Sequence, residues 1–506
     1  MQHLILLPLI LPLLAGLLML LPPLTHSRVR QRNVAMLLSA VTVLISALLL
    51  QQVQQGLIGV YALGDWAAPF GIVLVADRLS TLLLLLTSVL AFCSLLYTFG
   101  PQEEEGSFFQ PLLQFQILGI NGAFLTGDLF NLFVFFEILL IASYGLLMFG
   151  GGKTRTRAGL HYVILNLAGS AIFLFALGIL YGTLGTLNIA DLALKVQQLD
   201  ASNAALVRAG GLMLLIVFGL KAAMLPLQFW LPAAYSAATP AVAALFAIMT
   251  KVGVYAIVRV FSVIFGDAAG PLSGMAGPWL WPLGLLTIVI GAIGVLASQD
   301  LRRLIANLII VSIGSLLATL ALGHATATAA ALYYLLHTTL VSAGLFLLAD
   351  LIARQRGKAR DRLVSARGMP QGILLGCLFL VGAIAVIGMP PLSGFVGKVL
   401  LLNAAGTVTE MLWLWPLLLG SSLVALIALS RAGSTLFWDL AGAPQDHIRA
   451  HPAQLAAVLL LLASPVLLSL FAGPVTDLVI ATAQQLHDVN GQIRGVLQPV
   501  DFWEVK

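Results

Sequence analysis

Charge is what this chain has least of. Aspartate, glutamate, lysine and arginine together make up 9% of its 506 residues, while hydrophobic residues make up 60%; soluble domains carry roughly a quarter of their residues as charges. That deficit excludes an ordinary soluble globule and implies an all-α polytopic membrane protein. Cysteine is nearly missing as well. Cys93 and Cys377 both lie inside apolar runs, which excludes a disulfide framework and a cysteine metal site. No G-x-x-x-x-G-K-[ST], H-E-x-x-H, C-x-x-C or G-x-S-x-G pattern occurs, so nothing points to nucleotide binding, hydrolysis or a redox centre. We therefore expect a protein that is not itself an enzyme and carries no metal or cofactor. The net charge of +5 is no sign of nucleic-acid binding, because the basic clusters flank hydrophobic segments, as membrane topology demands.

What is abundant is the apolar stretch of about 20 residues, the length that crosses a bilayer. Such stretches fall near 3–22, 34–52, 76–99, 109–127, 129–149, 158–184, 207–231, 239–265, 277–297, 302–323, 325–352, 371–405, 411–433 and 453–481, about 14 transmembrane helices. The run from Leu4 to Leu21 has no basic residues ahead of it and no small-residue cleavage pattern behind it, so it is expected to be a retained first helix. Between 187 and 202, Asp191, Lys195 and Asp200 punctuate an amphipathic piece expected to lie on the outer surface. Arg28, Arg30 and Arg32 follow the first stretch, and Lys153, Arg155 and Arg157 the fifth. Arg302 and Arg303 follow the ninth, and Arg354, Arg356, Lys358, Arg360, Arg362 and Arg367 the eleventh. All these clusters come after odd-numbered crossings and so share one face, which the positive-inside rule makes cytoplasmic. Both termini are then expected outside. Glu103, Glu104 and Glu105 fall on the same inner face, but acidic residues weigh little in topology.

Ionisable groups at apparent membrane depth are few: Glu137, Lys221, Lys251, His337 and Lys398, with Asp128, Arg259 and Asp350 nearer the edges. A lysine at mid-depth costs about 2.5–3.5 kcal/mol on insertion scales, so such residues usually face an internal aqueous path. One acid, several lysines and a histidine on different helices do not make the oxygen cage of a bound cation. They do suit a proton relay, since burial and a neighbouring carboxylate push a lysine's proton affinity in opposite directions. Asp128 and Arg259 are candidates for an outer exit, and Asp350 for the inner rim. The competing readings are a static ion pair packing helices together for Glu137 and Lys221, snorkelling for Lys251 and Lys398, and a satisfied core histidine for His337.

Proline interrupts two of the stretches, at Pro226 and Pro232 and again at Pro390 and Pro391, and proline breaks a helix by removing a donor and clashing with the preceding turn. Lys221 is thus expected to place its ammonium beside an opened turn and its free carbonyls. KAAMLPLQFWLP and GMPPLSGFVGK lie five crossings apart, as do GDLFNLFVFFE and QDLRRLIANLI. An odd spacing would invert one unit relative to the other, the arrangement transporters use to build a midplane site.

These motifs also carry a family resemblance. FVFFEILLIASYGL around Glu137, FGLKAAMLPLQFWLPAAYSAATP around Lys221, MTKVGVYAIVR around Lys251 and MPPLSGFVGK around Lys398 resemble the antiporter-like subunits shared by respiratory complex I, membrane hydrogenases and Mrp cation/proton antiporters. The similarity runs over residues 75–480. KTRTRAGLHYVILN and YGTLGTLNIADL, with lysine rather than glutamate at position 398, look most like the D subunit of the Mrp (Pha or Mnh) antiporter. The resemblance implies two inverted five-helix repeats, 109–265 and 277–433, with broken helices 7 and 12, preceded by helices 1–3 over 1–108 and followed by a last helix and outer tail over 434–506. It implies a single transmembrane domain in a bacterial cytoplasmic membrane, in contact with lipid and working inside a hetero-oligomeric antiporter that exchanges Na⁺ or K⁺ for protons. Protons would pass from the Glu137–Lys221 pair along Lys251 and His337 to Lys398. One departure is ANLIIVSIG in helix 10, less polar than in many relatives, which leaves water and His337 to carry the relay there. The alternative reading is a proton-pumping subunit of a complex I-like oxidoreductase or membrane hydrogenase, and a third is a passive scaffold.

Overall fold

The computed structural model describes residues 2–100, 106, 108–200, 202–442 and 449–499; Glu103, Glu104 and Glu105 lie outside them. α1 (Leu7–Leu20), α2 (Arg28–Val53) and α3 (Arg78–Tyr97) open the chain, with a hairpin of β1 (Gly59–Ala62) and β2 (Val73–Ala76) between α2 and α3. Then come α4 (Phe109–Leu125), α5 (Leu129–Met148), α6 (Lys153–Leu184), the short α7 (Ile189–Gln197), α8 (Ala204–Ala222), α9 (Trp230–Ala237) and α10 (Pro240–Val263). The second half holds α11 (Gly277–Ala297), α12 (Leu301–Leu320), α13 (Ala325–Gln355), α14 (Gly372–Ile387), α15 (Ser393–Asn403) and α16 (Val408–Phe437). α17 (Pro452–Leu470), α18 (Ala472–His487) and α19 (Val489–Leu497) complete it.

Among the described residues 11 helices are long and apolar enough to cross a membrane. The two that matter most are α10 and α13, whose apolar windows are 100% buried within the protein, whereas that of α16 is 33% buried. α10 and α13 pack against each other, and α10 also packs on α8. Small residues permit this: a methyl group on Gly253 of α10 would fall 2.8 Å from the Lys221 carbonyl carbon of α8. Close backbone approach of this kind is how helices associate where water supplies no hydrophobic drive.

Each expected broken helix is two helices. α8 ends at Ala223 (φ 60°, ψ 43°) and α14 at Gly388 (φ 82°, ψ 43°), both left-handed. At both ends the amides turn back onto carbonyls: Ala223 to Leu220 at 3.1 Å and Met224 to Gly219 at 2.8 Å, Gly388 to Ala385 at 3.2 Å and Met389 to Ile384 at 3.1 Å. This is the Schellman closure of a helix C-terminus. Glycine is needed at 388, where a Cβ would come 2.6 Å from Lys398 Cδ. Pro226, Pro390 and Pro391 lie in the gaps that follow, but Pro232 does not: it sits in the first turn of α9, where proline costs no hydrogen bond.

Elsewhere the differences are local. The stretch expected over 453–481 divides into α17 and α18 at Phe471, and the amphipathic piece is α7, capped by the Asn188 side chain. The β1–β2 hairpin was not anticipated, because four-residue strands are too short to show an alternating pattern.

Two buried carboxylates fasten the bundle, one at each end of α3. At its start, Asp77 forms the α3 capping box with Ser80 and a bidentate pair with Arg259 of α10, at 2.8 Å through Nη2. Arg259 Nε donates to Tyr255 Oη at 3.2 Å, and Gln492 of α19 donates to Asp77 at 3.4 Å. At the other end, Asp350 of α13 accepts from Arg302 of α12 at 2.8 Å, Arg354 at 2.7 Å and Tyr97 of α3 at 2.8 Å. Burial alone would raise the Asp77 carboxyl, but the Arg259 guanidinium and the hydrogen bonds from Arg259 and Ser80 outweigh it and hold it below its usual value. A depressed carboxylate stabilises the fold above its ordinary pKa and stops doing so as pH falls through its lowered folded value. Removing one partner of a buried pair leaves the other charge stranded, at a cost of about 3–5 kcal/mol. Arg259→Leu is therefore expected to lower the thermal unfolding midpoint of the detergent-solubilised protein by several degrees. The acid-induced loss of stability below about pH 4 should be smaller in Asp77→Asn than in wild type, as followed by thermal unfolding across pH.

Candidate functional site: buried amines between two helix breaks

The first group of buried polar residues forms where α5, α6 and α8 meet, just before the first break. Lys221, in the last turn of α8, is 5% exposed and donates from Nζ to Asn166 Oδ1 of α6 at 2.9 Å. Glu137 of α5 accepts from the Ser170 hydroxyl of α6. Asn166 and Ser170 are one turn apart, so a single stripe of α6 serves both charged groups. Among the described residues no ion pair joins Glu137 to Lys221, although the carboxylate acts on the lysine electrostatically. The Phe136 ring lies 6.0 Å from the ammonium and supplies a weakly attractive face. The expectation that Lys221 sits on the opened carbonyls of its own break is not met. Trp230 Nε1 donates to the Leu220 carbonyl at 3.3 Å instead, and the Leu225 amide donates to Thr287 Oγ1 at 3.0 Å.

Lys251, in the middle of α10, has no exposed surface, and its Nζ has no hydrogen-bond partner among the described residues. α10 reaches α8 on one side through Gly253 and packs on α13 on another. This amine therefore stands on the element between α8, which ends at the first break, and α13, which carries His337 and packs on α14 and α15.

The second group gathers at the second break. Lys398 of α15 donates to the Val386 and Ile387 carbonyls at 3.3 and 2.8 Å and to Ser422 Oγ of α16 at 2.6 Å. These carbonyls belong to the last turn of α14, freed where the helix ends. The arrangement expected of Lys221 is thus found at Lys398. His337 of α13 is 1% exposed, pairs through Nδ1 with Ser393 Oγ at 2.8 Å and stacks on Tyr334 with centroids 6.1 Å apart. Ser393 opens α15, so His337 and Lys398 hold the two sides of one break.

The edge residues have other partners. Asp128 caps α5 through the Asn131 amide at 2.9 Å, and its carboxyl is raised by burial, against hydrogen bonds from Asn131 and Phe130. Asp300 caps α12 in the same way, through Arg303 at 2.9 Å. Each of these aspartates also forms an isolated antiparallel bridge, Asp128 with Asn188 and Asp300 with Arg362. Arg259 and Asp350 belong to the buried ion pairs at the ends of α3. Sequence reasoning missed Asn166, Ser170, Ser393 and Ser422. Neutral residues give no charge signal, and only the spacing of Asn166 and Ser170, one turn apart on α6, pointed to a shared face.

The chain matches, over residues 126–426, the family described as NADH:quinone oxidoreductase/Mrp antiporter, TM. It is 43% identical to the D subunit of the probable K(+)/H(+) antiporter of Rhizobium meliloti (strain 1021), covering 96% of both chains. It is 39% identical to the D subunit of the Na(+)/H(+) antiporter of Bacillus subtilis (strain 168), covering 87% of each. Among solved structures it is similar to a chain of the Mrp complex from Dietzia sp. DQ12-45-1b, with TM-score 0.85, 28% identity and coverage of 98% of this chain and 99% of that one.

The two kinds of lysine environment predict opposite responses to removal of the amine. Lys251→Met replaces a buried amine that has no hydrogen-bond partner among the described residues with an apolar group of similar length and should leave the thermal midpoint unchanged or raised. Lys398→Met strands the Val386 and Ile387 carbonyls, while Ser422 keeps its bond to the Leu418 carbonyl, and should lower it, at about 1–3 kcal/mol per stranded group. Thermal denaturation of both variants in detergent measures the contrast; a clear loss of stability in Lys251→Met would show that this amine has a stabilising partner.

Proposed function

The chain belongs to the NADH:quinone oxidoreductase/Mrp antiporter transmembrane family, and on that premise we propose that it is the proton-translocating subunit of a multisubunit Na⁺ or K⁺/proton antiporter. It would act in the bacterial cytoplasmic membrane with both termini outside. Its role is transport rather than catalysis, in company with the other subunits of an Mrp-type complex. Two of the relatives most similar to it are named as D subunits of antiporters, which favours an antiporter over a redox-driven pump.

The proposed route runs from Glu137 and Lys221 through Lys251 to His337 and Lys398. The observation that carries it is the fully buried amine of Lys251, without a hydrogen-bond partner among the described residues, on the helix that packs on α8 at the first break and on α13, which carries His337. A buried amine without a hydrogen-bond partner costs free energy in a low-dielectric interior, and a relay gives it a use. Lys221 and Lys398 have neutral acceptors that a lysine can keep whether it is an ammonium or an amine, so a proton can arrive and leave without stranding the group. Asp128, Arg259 and Asp350 flank the ends of this route, where protons would enter or leave, and their caps and ion pairs hold those ends in place.

The matching closures at Ala223 and Gly388 and the matching caps at Asp128 and Asp300 support a pair of inverted repeats, 109–265 and 277–433. On that count α8 with α9 and α14 with α15 are each one broken crossing, and the chain crosses about 14 times. Residues 1–108 and 434–506 would flank the repeats within one transmembrane domain.

Everted membrane vesicles containing the whole complex test the reading. Dissipation of a pre-formed ΔpH on adding Na⁺ or K⁺ should fall by at least about tenfold in Lys221→Ala or Glu137→Ala, with complex assembly checked in parallel. Wild-type exchange by an assembled Lys221→Ala complex would contradict the relay, and co-purification with NADH-oxidising iron–sulfur partners would contradict the antiporter.

A further inference from the structure

The geometry at the first break points to a further functional residue. We propose that Asn166 is the positioning residue that holds Lys221 apart from Glu137 and so keeps its proton exchangeable; this inference rests on the proton relay proposed above.

The Asn166 amide has one orientation available to it. Its Nδ2 donates to the Tyr162 carbonyl one turn back at 2.8 Å, which turns Oδ1 towards Lys221 Nζ at 2.9 Å. One turn on, Ser170 satisfies the Glu137 carboxylate. Gly169 lies between them: a methyl there would come 2.6 Å from Leu220 Cδ2 and 4.0 Å from Lys221 Nζ, so the absence of a side chain lets α8 close on this stripe. The stripe thus presents a neutral acceptor to the cation and a neutral donor to the anion.

The chemistry of the amide explains why that matters. Direct contact with a carboxylate in a low-dielectric interior would hold the ammonium strongly and resist loss of its proton. An amide oxygen binds less strongly and accepts a hydrogen bond from either –NH₃⁺ or –NH₂. A proton that leaves Lys221 turns it into –NH₂ and, once taken up at Lys251 as the relay proposed above requires, turns an amine there into –NH₃⁺, with the Lys221 bond to Asn166 intact throughout. The charged group that acts on Lys221 is Glu137 on α5; of the helices packed against α8, α6 carries Tyr162 and α10 carries Lys251.

The test uses the assembled complex in everted vesicles and the rate of cation-dependent ΔpH dissipation across pH. Asn166→Leu should cut the rate about tenfold by removing the acceptor. Asn166→Asp has nearly the same shape but places a carboxylate against the ammonium, so it should move the pH–rate profile upward by about one unit or more. A packing role would not produce that shift. An assembled Asn166→Leu complex with wild-type rate and profile, or an active Asn166→Asp complex with an unmoved profile, overturns the inference. Lys221→Ala in the same assay separates the two proposals: if it is inactive while the Asn166 variants behave as wild type, only the positioning role falls, and if it is active the relay itself falls.

Discussion

The structure turns on the cost of burying an amine where water is scarce. An isolated charge in a low-dielectric interior is expensive, and a protein meets that cost by pairing the charge, by spreading it over neutral dipoles, or by leaving the group free to lose its proton. All three solutions occur here. Arg259, Arg302 and Arg354 are paired with carboxylates, Lys221 and Lys398 rest on neutral oxygens, and Lys251 has no hydrogen-bond partner among the described residues. The groups locked to a carboxylate fasten helices at the two ends of α3, while Lys221 and Lys398 stand at the helix breaks and Lys251 in the middle of α10.

The helix breaks follow from the same constraint. A helix that stops inside a bilayer must find partners for its last carbonyls, and irregular backbone is tolerated there only within protein or beside water. At the first break the closure of α8 and the Trp230 indole take up the carbonyls of the last turn. At the second the Lys398 ammonium does so. One break therefore frees its lysine to reach across to α6, and the other uses its lysine as part of the closure. The two breaks thus leave Lys221 on the Asn166 amide and Lys398 on the carbonyls of its own break, with Lys251 on α10, which packs on α8 and α13.

Much of this was legible in the sequence, and for a clear reason. Apolar length set the helices, since α2 to α6 and α10 to α13 lie close to the stretches read from hydropathy. Glu137, Lys221, Lys251, His337 and Lys398 were conspicuous because a charge or imidazole in an apolar run is rare. What was not legible depended on contacts between distant segments. Asp77 and Arg259 are 182 positions apart, and nothing local to either predicts the other. Asn166, Ser170 and Ser422 are neutral polar residues of a kind that commonly bond to their own helix backbone, and Asn166 does so with one half of its amide while serving Lys221 with the other. The expectation for Lys221 and the finding at Lys398 show the limit: the sequence located the breaks and the lysines, but which lysine takes the free carbonyls depends on packing.

Lys251 is the decisive position, because its amine makes no hydrogen bond among the described residues whose loss could explain a functional defect. Cation-dependent ΔpH dissipation by the assembled complex carrying Lys251→Met, measured in everted vesicles beside its thermal stability, separates a transport role from a structural one. A relay through Lys251 predicts a complex as stable as wild type that no longer exchanges cations for protons; a stable complex exchanging at the wild-type rate would contradict it.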